Sequence, residues 1–164
     1  MIRKSPVSKE KALERLKSLC SRAEHCEFEL NRKMINWGLG SSDRKEIIEL
    51  LSNERYVDDA RFAMSFAHDK AMFSAWGPAK IRLELIKRKI NSKSISEALS
   101  KVGSEVWKEG LLKCARSKSA NLELTGETGR ENRNKLYRYL LSRGFPSGVA
   151  SKAVMFMRKK QEEE

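Results

Sequence analysis

The stretch VDDARFAMSFAHDKAMFSAWGPAKIRLEL, residues 57–85, decides how the chain is read. It opens on an acidic doublet, Asp58-Asp59, continues with aromatic residues at helical spacing, breaks at Gly77-Pro78 and resumes as a basic amphipathic segment. A carboxylate at a helix start accepts free N–H groups of the first turn and meets the positive end of the helix dipole, so the doublet predicts a cap. Proline is best tolerated at the first helical position, so Pro78 predicts a second start. The first of these helices is expected to bury Phe62, Ala63, Phe66 and Phe73, and the second to run to about Lys89.

Helical spacing extends to both sides, and no long stretch alternates apolar with polar residues, which argues against strands. Before residue 57 the pattern predicts helices over 9–22 and 24–36, the latter ended by Gly38, and a third opened by a capping box of Asp43 and Glu46. After residue 90 it predicts helices over 94–102, 105–120, 131–143 and 149–159, with Ser94–Glu97 and Thr128–Glu131 as capping boxes and Gly144 as a stop. The tail KKQEEE is expected to fray.

Aligned from Leu30, Ile81 and Leu136, offsets 0, 4, 5 and 9 read Leu-Met-Ile-Leu, Ile-Leu-Ile-Ile and Leu-Leu-Leu-Phe. Offsets 17, 18 and 21 are apolar in all three copies as well, and offset 8 holds Gly38, Lys89 and Gly144. The expected fold is therefore all-α: three tandem three-helix repeats, 8–56, 57–103 and 104–159, forming an elongated, curved array. Each unit has too few apolar positions to fold alone and must share its core with a neighbour. One compact bundle is the alternative.

Of the 164 residues, 40% are hydrophobic and 34% charged, enough for small cores and not for one large core. No run approaches the ~18–20 apolar residues of a membrane span. The N-terminus MIRKSPVSKEKA has no signal-peptide core, so a cytoplasmic location is expected. Cys20, Cys26 and Cys114 cannot all pair, and the C-x4-H-C run lacks zinc-finger spacing.

The glycines of TGETGR, 125–130, lack the lysine-hydroxyl pair of a phosphate loop. His25 and His68 are the two histidines, and neither has an evident nucleophile. Asp58 and Asp59 are adjacent, so they do not face each other on a helix and supply too few ligands for a divalent cation. The sequence thus points to a protein that is not an enzyme and uses no metal or cofactor.

A net charge of +12 raises the local concentration of polyanions and acidic protein surfaces. The candidate contact residues are Lys80, Arg82, Lys87, Arg88 and Lys89 on the middle basic helix, Arg32 and Lys33 in the first unit, and Arg138 and Arg143 in the third. Stacked in register, these cations would form a discontinuous stripe suited to a DNA backbone or an acidic protein groove. Trp37 and Trp76, each beside a glycine at a helix boundary, are the candidates for stacking on bases.

YVDDARFAMSF (56–66) followed by WGPAKIRLELIKRKI (76–90) resembles the signature of RecX regulatory proteins, modulators of the recombinase RecA. RAEHCEFELNRKM (22–34) and LYRYLLSRGFPSGVASKAV (136–154) resemble the family's first and last segments. The resemblance implies tandem three-helix units that bind the groove of the RecA filament as a monomer, inhibiting ATP hydrolysis, strand exchange and co-protease function in recombination and the SOS response. It adds Arg61 to the contact candidates, and weak binding to single- or double-stranded DNA accompanies it. The alternative is a sequence-independent DNA-binding protein. Lys89-Ile90 departs from the family's Gly-Ile, which predicts a looser or differently shaped helix end there, and the loop at 121–130 is longer than its counterparts.

Overall fold

The computed structural model describes residues 7–163, and the regular structure among them is entirely helical. The start of the N-terminal segment judged above for a leader, residues 1–6, and the last residue of the tail, Glu164, lie outside the described residues. The helices are α1 Lys9–Cys20, α2 Glu27–Asn36, α3 Ser41–Asn53, α4 Asp59–Ser74, α5 Pro78–Lys87, α6 Ser92–Lys101, α7 Ser104–Ser119, α8 Gly129–Ser142 and α9 Ser147–Glu163.

Their apolar faces meet in three small cores. Leu16, Leu30, Met34, Ile47 and Leu51 fill the space among α1–α3, and Phe62, Ala63, Ile81, Leu85, Ile95 and Ala98 that among α4–α6. Ala115, Leu124, Leu136, Leu140, Ala150 and Val154 do the same for α7–α9. The accessible surface is 10688 Å², against about 8,300 Å² for a compact protein of this mass, which fits an elongated array.

The internal repeat has a structural counterpart at almost every offset. Residues at offsets 0, 4 and 9 are buried in all three copies, whereas offset 5 faces solvent in all three. At offset 8, Gly38, Lys89 and Gly144 have φ of 82°, 59° and 92°. In each copy the offset-8 N–H donates to the carbonyl at offset 5: Gly38 to Ile35 at 2.9 Å, Lys89 to Ile86 at 2.8 Å, Gly144 to Leu141 at 2.9 Å. The offset-9 N–H then donates to the carbonyl at offset 4, at 3.1 Å for Leu39, 3.1 Å for Ile90 and 3.2 Å for Phe145. The expectation of a looser cap at Lys89 is therefore corrected. The lysine makes the glycine's turn, at a backbone cost of about 1 kcal/mol.

Asp58 caps α4 as expected, its Oδ1 accepting from Arg61 N at 2.9 Å, and Pro78 occupies the first turn of α5 behind Gly77. The three capping boxes do not form. Gly40 precedes α3 without a side-chain cap, Asn91 caps α6 by accepting from Ser94 N at 2.8 Å, and the Thr128 hydroxyl turns to Glu123. The caps of α3 and α6 stand three residues before Asp43 and Ser94, whereas Thr128 does stand at the N-cap of α8 without making the side-chain bond. Phe73, in the last turn of α4, is 75% exposed rather than buried. The tail does not fray within the described residues, since α9 continues to Glu163 with Arg158–Glu162 and Lys159–Glu163 pairs along it.

Candidate partner-binding surface

The sequence brings the first and second cores together through one short segment. Cys26 stands just before α2, fully buried in the core of α4–α6, and burial pushes its thiol pKa up to about 11. The next residue, Glu27, opens α2, and its N–H donates to Asp59 Oδ1 at 2.9 Å. The acidic doublet thus serves two helices: Asp58 caps its own, α4, and Asp59 satisfies the start of α2. Burial raises the Asp59 pKa above the usual carboxylate value and the neighbouring Asp58 adds to the rise, while the Glu27 N–H opposes it.

Two arginines complete this junction. Arg61 Nε donates to Glu24 Oε1 at 2.6 Å, and its Nη2 reaches the Arg55 carbonyl at 3.2 Å. Arg88 Nε donates to Glu29 Oε1 at 3.1 Å and its Nη1 to Glu84 Oε2 at 3.1 Å, with the guanidinium 5.0 Å from the centre of the Phe66 ring. His25 Nδ1 lies 3.1 Å from the other Glu29 oxygen, so the imidazole belongs to this polar cluster.

Around the junction the candidate cations of two units gather. One cleft of about 550 Å³ is lined by Arg32, Lys33, Lys87 and Arg88 together with His25, Glu29 and Glu84. A second, of about 670 Å³, lies between α2, α3 and α5 and is lined by Arg44, Lys45, Arg88, Lys89, Phe28 and Asp59 among others. Lys89 Nζ and the Arg32 guanidinium stand 5.7 Å and 5.9 Å from the Phe28 ring centre, so this ring at the junction carries a cation from each unit. Lys87 pairs with Glu84 at 2.7 Å, and hydrogen bonds from Lys87 and Arg88 hold the Glu84 carboxyl below its ordinary value.

The remaining candidates lie elsewhere. Lys80 sits 4.5 Å above the Trp76 ring, and Arg82 is exposed on the adjoining face of α5. Arg143 turns inward to donate to the Ser74 carbonyl at the second junction, while Arg138 projects from α8 into solvent. Neither tryptophan offers a bare ring. Trp76 is flanked by Lys70 and Lys80 and meets Phe66 edge-on, and Trp37 lies under Arg15.

Three features escaped the sequence. Glu24, Glu29 and Asp59 act across units, and only the fold makes them neighbours. Arg44, which donates to Asn31 Oδ1 at 2.9 Å and to the Leu39 carbonyl at 2.7 Å, lines a cleft from a helix whose charge pattern gave no hint of it. Leu83 and Ile86 stand exposed on α5, and the offset-5 alignment already carried that signal for Ile86. Among the described residues, no three His, Cys, Asp or Glu side chains are grouped so as to hold a metal ion, and no helix is long and apolar enough to cross a membrane.

Comparison with known proteins places this architecture. Residues 58–99 match the second three-helix domain of RecX, and 112–154 match the third. The chain is 31% identical over 144 residues to regulatory protein RecX of Xanthomonas axonopodis pv. citri (strain 306), covering 88% of this chain and 86% of that one. It is 36% identical over 98 residues to regulatory protein RecX of Clostridium botulinum (strain Alaska E43 / Type E3), covering 60% of this chain and 45% of the other. Among solved structures, a regulatory protein RecX superposes with a TM-score of 0.76 at 24% identity over 93% of this chain and 71% of its own. RecX from Lactobacillus salivarius superposes with a TM-score of 0.74 at 20% identity over 90% and 94%. Helical architecture, repeat register and likeness along most of the chain agree: the protein belongs to the RecX family of regulatory proteins.

Proposed function

We propose that the protein is a non-enzymatic regulator that binds the RecA–DNA filament as a cytoplasmic monomer and inhibits RecA ATP hydrolysis, strand exchange and co-protease activity. The observation that carries this reading is the gathering of Arg32, Lys33, Lys87, Arg88 and Lys89 from two successive units around one junction. A chain of such units, divided at 8–56, 57–103 and 104–159, offers a repeating partner several contacts at once, and separate weak contacts on one chain combine into avidity. Binding that favours one filament state over another shifts activity without chemistry.

The test is RecA ATPase on single-stranded DNA. Substoichiometric protein should lower turnover, and turnover unchanged at equimolar protein would rule the reading out. Reversing Arg32, Arg82 and Lys87 together to glutamate should weaken inhibition by at least about tenfold, because these three are exposed and their loss leaves the cores intact. Direct DNA binding is the second reading, favoured by the net charge of +12. It predicts tight binding to bare DNA that falls steeply with salt.

A further inference from the structure

The second helix of each unit leaves an aliphatic side chain in water at the same register. Ile35, Ile86 and Leu141 are 50%, 54% and 38% exposed. Offsets 0 and 4 already fill the cores, so packing gives no reason for offset 5 to be apolar, and a recurrent exposed aliphatic marks a contact surface. On α5 the feature is largest, because Leu83, three residues before Ile86, is also 52% exposed. With Pro78, Ala79, Leu99 and Pro146 these two residues line a groove of about 410 Å³, and Arg82 forms part of its wall. Lys87 and Lys80, at i+4 and i−3 from Leu83, lie together on one side of the apolar floor and Arg82 on the other, so the floor is rimmed by cations.

We propose that this groove docks an amphipathic helix with acidic flanks, supplied by the partner protein. Its apolar side chains would seat on Leu83 and Ile86, and its carboxylates would lie beside Arg82 and Lys87. The proposal rests on reading the chain as a regulator of a protein assembly, and it assigns the contact to protein rather than to nucleic acid. Phosphates would satisfy the cations and leave the aliphatic floor uncovered, and the groove has no aromatic lining on which a base could stack. A second copy would bring +12 against +12. The chain's own acidic end is engaged, with Glu162 on Arg158 and Glu163 on Lys159. An acidic helix with apolar anchors at i, i+3 or i+4 and i+7 meets both the floor and the rim.

The experiment uses the full chain and its Leu83→Ser/Ile86→Ser variant. Both substituted side chains are surface-exposed, and equal melting temperatures would establish that the fold is kept. The probe is a labelled peptide of about 20 residues, long enough to be helical, with leucines at i, i+4 and i+7 flanked by glutamates. Wild type should bind it, and the variant at least about tenfold more weakly, by fluorescence anisotropy. Equal affinities, or no binding to wild type, would overturn the proposal. So would a matching loss of oligo-dT affinity, which would make the groove a nucleic-acid surface, or a wild-type dimer that the variant loses. RecA ATPase on the same samples keeps the two readings separate: failure of wild type to inhibit, with peptide binding as expected, removes the RecA reading and leaves the groove.

Discussion

The two junctions between successive units solve the same problem with opposite chemistry. Where the first unit meets the second, side chains do the joining: Asp59 on the start of α2, Arg61 on Glu24, Arg88 on Glu29, with Cys26 inserted into the second core. Where the second meets the third, backbones touch. Gly77 N–H donates to the Arg143 carbonyl at 2.7 Å, Ala79 N–H to the Gly144 carbonyl at 3.0 Å, and α4 packs along α7 with Cys114 Sγ 3.5 Å from the Ala75 carbonyl. Charged groups at an open junction keep much of their hydration and bond one another at modest net gain. Close-packed backbone leaves no space to give. The junction where most of the candidate contact cations gather is the ionic one.

The sharpest way to break this contrast is to add one methyl group to the backbone junction. A Cβ on Gly77 would lie 2.3 Å from the Gly144 carbonyl carbon and oxygen and 2.5 Å from Phe145 N, all backbone atoms that cannot rotate away. Gly77→Ala should destabilise by about 3 kcal/mol, lowering the melting temperature by about 6 to 12 °C. Gly148→Ala is the control, because a Cβ there meets nothing within 4 Å and alanine suits a helix better. Calorimetry of the two variants decides it. A Gly77→Ala protein that melts with wild type would mean the second junction has slack like the first.

At the first junction the expected effect is smaller and depends on pH. Burial pushes the Cys26 thiol up to about 11, above its ordinary value. Above pH 9 the unfolded thiol releases its proton while the folded one keeps it, so the folded state binds more protons and stability falls as pH rises. The loss should reach about 2 kcal/mol by pH 10.5, and it should be absent below pH 8. Lysines titrate in the same range, so the informative quantity is the difference between wild type and Cys26→Ala in chemical denaturation at pH 8 and 10.5. A difference that does not change with pH would mean that water reaches the Cys26 site.

How much of this was readable in advance follows from the range of each interaction. Register and turn positions were legible, because burial at offsets 0, 4 and 9 and the left-handed turn at offset 8 are fixed within a dozen residues of chain. The start at Gly77-Pro78 was legible for the same reason. The division of labour among the cations was not. Arg32, Arg82 and Arg138 stay in solvent while Arg61, Arg88 and Arg143 brace junctions, and that division depends on partners from 37 residues away for Arg61 to 69 for Arg143. The boxes at Asp43 and Ser94 failed because alternative starts stand three residues earlier: Gly40 opens α3 without a side-chain cap, and Asn91 makes at α6 the cap that Ser94 does not.

The finest distinction concerns Lys89, the lysine standing where the other two units have glycine. Relief of the left-handed strain alone would make Lys89→Gly stabilising by about 1 kcal/mol, less the extra freedom glycine has when unfolded. Lys89 also holds its ammonium 5.7 Å from the Phe28 ring centre, across the first junction, and such a contact at an exposed site is worth about 0.5 kcal/mol. Arg55 provides the comparison, since it has φ of 60° in the equivalent kind of turn, with its N–H on the Ser52 carbonyl at 3.0 Å and Tyr56 N–H on Leu51 at 2.8 Å. Its guanidinium makes no hydrogen bond to another described residue. Arg55→Gly should therefore gain the full backbone relief and Lys89→Gly about half of it, by urea denaturation at low salt. Equal gains would show that the Lys89 ring contact adds nothing to the first junction. A loss on Lys89→Gly would show that the Lys89–Phe28 contact outweighs the backbone relief.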